Sequence, residues 1–77
     1  MTSKTYVLLE TEVEKTKAVV TSIKALKEVK TVNIITGPFD VIVYFEAEDS
    51  QIIGTLIIEK LRPLDGVKRT LTCVVVG

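Results

Sequence analysis

The sequence predicts an α+β domain of order βαββαβ, a four-stranded antiparallel sheet with two helices on one face. Three features of the chain support this. Val, Ile and Leu fill 27 of the 77 positions and Thr another ten, against four Gly and two Pro, a β-rich and compact composition. Two segments instead repeat their apolar residues at helical spacing. The chain also matches itself at an offset of 38, pairing Tyr6 with Tyr44, Glu10 with Glu48, Val19 with Ile57, Ile23 with Leu61, Leu26 with Leu64, and Val29-Lys30 with Val67-Lys68. Two βαβ halves with right-handed crossovers account for that repeat and give the split-βαβ, ferredoxin-like arrangement.

Each element has a local cause. Thr5 to Leu9 reads as a strand, and Thr11-x-x-Glu14 matches a capping box that starts a helix near Glu12 or Val13. Val13, Thr16, Val19, Val20, Ile23 and Leu26 then form its buried stripe, leaving Lys15, Ser22 and Ala25 outside. Lys30 to Thr36 is rich in β-branched residues and runs into Gly37-Pro38, followed by the longest strand candidate, Asp40 to Ala47, so the pair reads as a hairpin. Asp49 or Ser50 caps a second helix with the stripe Ile53, Ile57, Leu61 and Leu64, ended by Pro63. Asp65-Gly66 is a turn, and Val67 to Val76 is the last strand. In the second strand alternation turns Val32 and Ile34 inward, whereas the repeat turns Asn33 and Ile35 inward; its facing stays open at this level.

One small domain, residues 1–77, is all this length allows, and a chain of this size buries only about 60% of its unfolded surface. Val7, Leu9, Val41, Val43 and Phe45 fall on one side of their strands, and Tyr6, Leu8, Ile42 and Tyr44 on the other, which is too apolar for open water. Dimerisation through the uncovered sheet face follows as an expectation. Ile52 and Ile58, at the margins of the second helical stripe, hint at further contacts.

Ten basic and ten acidic side chains cancel, so the footprint for direct nucleic-acid binding is missing. A lone cysteine, no signal-peptide pattern and apolar runs far short of the ~20 residues of a membrane span predict a cytoplasmic protein with no membrane partner. There is no His, no nucleophile-base pairing, no metal-ligand spacing and no phosphate loop, so neither catalytic residues nor a metal or other cofactor are expected. Cys73 reads as a small buried hydrophobe rather than a reactive thiol. Glu46, Glu48 and Asp49 read as a strand end and helix cap. Lys68 and Arg69 read as solvent-facing charges.

Thr36-Gly37-Pro38-Phe39-Asp40 has the most unusual local chemistry. Gly and Pro together shape a loop whose amides can point outward and hold a carboxylate, Asp40 can hold an ammonium, and Phe39 can form an apolar wall: the two ends and the body of a free α-amino acid. Alternatively, Asp40 bonds its own turn and Phe39 simply packs. Thr70 and Thr72 project from one sheet face, opposite Leu71 and Cys73, either as ligand donors and acceptors or as ordinary exposed strand residues.

With Thr36-Gly37-Pro38-Phe39-Asp40-Val41-Ile42 and Gly66-Val67-Lys68-Arg69-Thr70-Leu71-Thr72 in view, nearly the whole chain resembles the effector-binding domain of the Lrp/AsnC family of feast/famine regulators, in a stand-alone form lacking the helix-turn-helix. Phe39 stands where the family's Gly-x-Tyr-Asp pattern has Tyr, which removes a hydroxyl and keeps a ring. The resemblance implies a non-enzymatic amino-acid sensor whose dimers assemble into octamer or decamer rings and which acts on transcription indirectly, by co-assembly with full-length regulators. It implies an effector between dimers, gripped by Gly37, Phe39, Asp40 and the Val41 backbone, with Thr70 and Thr72 on the other side. Two alternatives share the fold. An ACT-like amino-acid-binding domain favours a Gly after the first strand, where this chain has Thr11-Glu12-Val13-Glu14. A cofactor-independent enzyme ordinarily needs a base such as His.

Overall fold

The computed structural model describes residues 2–77. Strand β1 (Ser3–Thr11) is followed by a 3-10 turn (Val13–Lys15) and helix α1 (Thr16–Lys24). Strands β2 (Val29–Ile34) and β3 (Val41–Ala47) come next, then helix α2 (Ser50–Leu56), a π-helical turn (Ile57–Leu61) and strand β4 (Val67–Val74). The sheet is antiparallel in the order β2-β3-β1-β4, the ferredoxin-like order expected. Both helical segments pack on one face. Val19 and Ile23 from α1, with Ile53, Ile57 and Leu61 from the second segment, close over Val7, Leu9, Val41, Val43 and Phe45 of the two central strands. Full burial of such a side chain is worth about 1.5–3 kcal/mol, so this one layer supplies most of the hydrophobic driving force.

Register settles the facing of the second strand. Val29 sits opposite Phe45, but Thr31 sits opposite Tyr44, so Lys30 is an extra residue and the strand bulges there. Val32 and Ile34 therefore share the helix-side face with Val43 and Val41, as alternation predicted, and Asn33 turns to the open face with Ile42. β4 carries the matching bulge: Val67 faces Thr11, Lys68 is extra, and Arg69 faces Glu10. The internal repeat thus extends to the bulges, and Leu71, the counterpart of Asn33, lies with Leu8 on the open face.

Three local expectations fail at the first helix and last strand. The capping box does not form: Thr11 is still paired in β1, its hydroxyl shares a 2.7 Å hydrogen bond with that of Thr16, and no side chain caps the 3-10 turn. Val13 is 89% exposed rather than buried, because a 3-10 turn advances three residues per turn and throws the apolar stripe out of phase before α1 begins. Cys73 is exposed, facing outward beside Tyr6, since Thr70, Thr72 and Val74 take the inward positions of β4. Asp49 does cap α2, its Oδ1 accepting from the Ile52 amide at 3.1 Å, and the helical segment closes at Leu61, two residues before Pro63.

The turn before β4 is pressed against the start of the first helix. Gly66 has φ +97°, its carbonyl accepts from the Glu12 amide at 2.8 Å, and a Cβ there would lie 2.6 Å from the Lys15 Cβ. Lys15 Nζ donates to Asp65 at 2.9 Å and lies 3.4 Å from the Glu12 carboxylate. These contacts hold the 3-10 turn in place and keep Val13 turned outward.

Candidate functional site

The β2–β3 connection is fastened at its base and free at its tip. The Ile35 amide donates to the Asp40 carbonyl at 2.8 Å and the Asp40 amide to the Leu9 carbonyl at 2.9 Å. The Asp40 carboxylate accepts from the Thr11 amide through Oδ2, at 2.8 Å. Asp40 therefore ties the loop to the end of β1 rather than to its own turn, and its other oxygen has no protein donor among the described residues. At the tip, Gly37 has φ +144°, a conformation that favours glycine, and open space around it.

Phe39 is half-buried, and the Arg69 guanidinium lies over its ring at 4.8 Å from the centroid. Arg69 Nε is 3.9 Å from Glu10 Oε1. Arg69 and Glu10 are cross-strand partners on the open face, so this stack sits on the side of the sheet away from the helices. Val41 is buried, and its side chain belongs to the core, which leaves only its backbone for a ligand. Thr70 is opposite Leu9 and Thr72 opposite Val7, on the helix side of β4. They are two strands away from Val41, about 10 Å. One copy of the chain thus brings Gly37, Phe39, Asp40 and Val41 together and keeps Thr70 and Thr72 apart from them.

Beside the loop base is an open cavity of about 460 Å³, within the size range of small-molecule pockets. Val13, Ile34 and Ile35 make its apolar wall, and Thr16, Lys17 and Asp40 line the rest with Glu14. Of the residues expected from the sequence, Asp40 alone lines it. The helical periodicity assigns Val13 and Thr16 to a buried stripe, and the strand pattern leaves open whether Ile34 or Ile35 turns inward. The available signal is a pair of branched aliphatics, Ile34-Ile35, one residue before Gly37-Pro38.

On the open face, the Tyr6 and Tyr44 rings lie 4.9 Å apart and tilted by 37°, next to Leu8 and Ile42. Tyr44 donates to Glu46 Oε2 at 2.9 Å. Desolvation, then this hydrogen bond, raise the Tyr44 pKa above the ordinary tyrosine range.

The fold is a ferredoxin-like α+β domain with a fastened hairpin loop beside a small cavity, an arrangement that offers room for a small ligand. The family model for the Lrp/AsnC ligand binding domain matches residues 4–77, and the chain belongs to that family. An uncharacterised HTH-type transcriptional regulator of Pyrococcus horikoshii is 30% identical over 69 residues, covering 90% of this chain and 44% of the relative. The chain therefore spans less than half the length of that relative. The crystal structure of FFRP-DM1 superposes with a TM-score of 0.91 at 26% identity, covering 96% of this chain and 99% of that one. A Neisseria meningitidis transcriptional regulator, solved as an L-Met complex, shares the fold at TM-score 0.89 and 14% identity, over 97% of this chain and 50% of that one. Membership in this family, rather than among ACT-like domains, supports a regulatory role. No helix among the described residues is long and apolar enough to cross a membrane.

Proposed function

We propose that this chain is an amino-acid-responsive regulatory module that self-associates and acts on transcription in the cytoplasm through its partners, without contacting nucleic acid itself. The observation that carries this reading is the half-used Asp40 carboxylate: Oδ2 is held by the Thr11 amide, Oδ1 is left over, and the group lines a cavity with an apolar wall. A carboxylate already oriented by the backbone binds an ammonium without first having to be ordered. Gly37 and Phe39 shape the loop around it, and the Val41 backbone continues it. Thr70 and Thr72, too distant within one copy, line the site from a neighbouring copy.

Self-association uses the open sheet face, where Tyr6, Leu8, Ile42, Tyr44 and Leu71 lie together. Dimers formed there assemble into octamer or decamer rings and recruit full-length regulators of the same family. An effector bound by only one assembly shifts the population by about 2.7 kcal/mol at 100 times its dissociation constant. The solved L-Met complex of a regulator with this fold accords with such an effector. Calorimetry with the proteinogenic amino acids tests the reading. At least one is expected to give a saturable isotherm that weakens about tenfold or more in Asp40→Asn, which keeps an acceptor for the Thr11 amide and removes the charge. Flat titrations throughout would remove the reading.

A further inference from the structure

We infer that the free edge of β2, with the lysines beside it, docks an extended acidic segment of a partner protein, added to the sheet as a further strand. β2 ends the sheet, so one side of its backbone has no neighbouring strand. The loop shows which groups are free. The Ile35 amide donates to the Asp40 carbonyl, and bonded residues alternate along an antiparallel ladder, so Asn33 and Thr31 also turn their N–H and C=O groups to β3. Those of Val32 and Ile34 therefore point away from β3, a template for another strand.

Lysines flank this edge. Lys17 and Lys24, about two turns apart on α1, each share a hollow with β2, Lys17 beside Ile34 and Lys24 beside Lys30, Thr31 and Val32 in an open hollow of about 450 Å³. None of Lys17, Lys24 and Lys30 has a carboxylate within 4.0 Å among the described residues. Glu46 and Glu48 line a separate hollow beyond Lys30. The chain as a whole is neutral, yet residues 17–30 hold four lysines and a single acid, Glu28. This local charge decides the occupant. Two β2 edges brought together would set lysine against lysine, which disfavours a second copy there, whereas carboxylates on the helix side of an added strand meet Lys24 and Lys17. A nucleic-acid backbone would use the charge but not the free N–H and C=O groups of Val32 and Ile34. On the open face Thr31 and Asn33 are exposed and fit small polar residues.

The test is fluorescence anisotropy on the full chain with a labelled hexapeptide alternating Thr and Glu, which extended spans about 20 Å and so matches β2 in length. Saturable binding is expected, weakened about tenfold or more in Lys24→Glu with Lys30→Glu. That doubly reversed variant is expected to take the Thr–Lys counterpart of the peptide instead. Both lysines are exposed, so the variant keeps the wild-type circular dichroism. N-methylation of alternate peptide residues is expected to abolish binding in one of its two phases, the one that blocks the amides facing β2. The inference falls if nothing binds, if the Thr–Lys peptide binds the wild type as well as Thr–Glu does, or if N-methylation has no effect in either phase. Displacement of the acidic peptide by duplex DNA would also overturn it and assign the lysines to phosphate. Lys24 and Lys30 lie outside the cavity beside Asp40, so each of these results leaves the amino-acid reading as it was.

Discussion

The Arg69 guanidinium rests on the Phe39 ring, 4.8 Å from its centroid, and so joins the β2–β3 loop to β4 across the end of β1. Arg69 is more than a solvent-facing charge, although its side chain remains 60% exposed. The stack uses the face of the ring and needs no hydroxyl at position 39. An exposed cation–π pair is worth about 0.5–1 kcal/mol. A double-mutant cycle of Arg69→Ala and Phe39→Leu in urea should return a coupling of that size, and Phe39→Tyr should be close to neutral. Zero coupling would mean that the stack holds nothing.

Gly66 and Gly54 should respond in opposite directions to alanine. Gly66 combines a positive φ with a would-be Cβ 2.6 Å from that of Lys15, so Gly66→Ala should cost on the order of 1–3 kcal/mol. Gly54 lies within α2 with open space around it, so Gly54→Ala should add about 0.5–1 kcal/mol through helix propensity. Thermal or urea denaturation of both variants decides the matter.

Thr5 is a third handle on stability. It is 1% exposed, packed between β3 and β4, and its hydroxyl has no hydrogen-bond partner among the described residues. Valine keeps the shape and removes the desolvated hydroxyl, so Thr5→Val should gain about 1 kcal/mol. A destabilised variant would show that the hydroxyl is satisfied in solution, for example by a buried water.

Alkaline pH should weaken the fold. Hydrogen bonds from Lys15 to Asp65 and Glu12 raise its pKa, and desolvation with the Glu46 hydrogen bond raises that of Tyr44. A pKa raised by folding adds stability that is fully present below the unfolded value, about 10 for both side chains, and is lost as pH rises through the folded value. Stability should therefore hold at neutral pH and fall in strongly alkaline buffer, less steeply in Lys15→Met and Tyr44→Phe. Identical alkaline slopes in wild type and variants would refute the assignment.

The open sheet face predicts an assembly. Tyr6 and Leu71 are large, apolar and 41% and 47% exposed, on the same side as Leu8 and Ile42. Sedimentation at micromolar concentration should show dimers or larger species for the wild type and monomers for Leu8→Lys, whose charge would be stranded in an apolar contact. A monomeric wild type would contradict the interface.

Periodicity and turn chemistry, read from the sequence alone, determined the order of elements, the helix-facing set of β1 and β3, a second-helix cap at Asp49 or Ser50 and the Asp65-Gly66 turn, because each depends on residues close in the chain. The Gly37 to Asp40 loop was legible for the same reason. Tertiary structure decided the rest. Bulges at Lys30 and Lys68 set the facing of both edge strands, the 3-10 turn held by the Glu12–Gly66 and Lys15–Asp65 hydrogen bonds leaves Val13 outward, and Asp40 found its partner in Thr11, 29 residues away. The separation of Thr70 and Thr72 from Val41, and the cavity shared by Lys17, Ile34 and Asp40, likewise come from strand order and register. Spacing along a chain encodes which face a residue takes, but not which distant residue will share it.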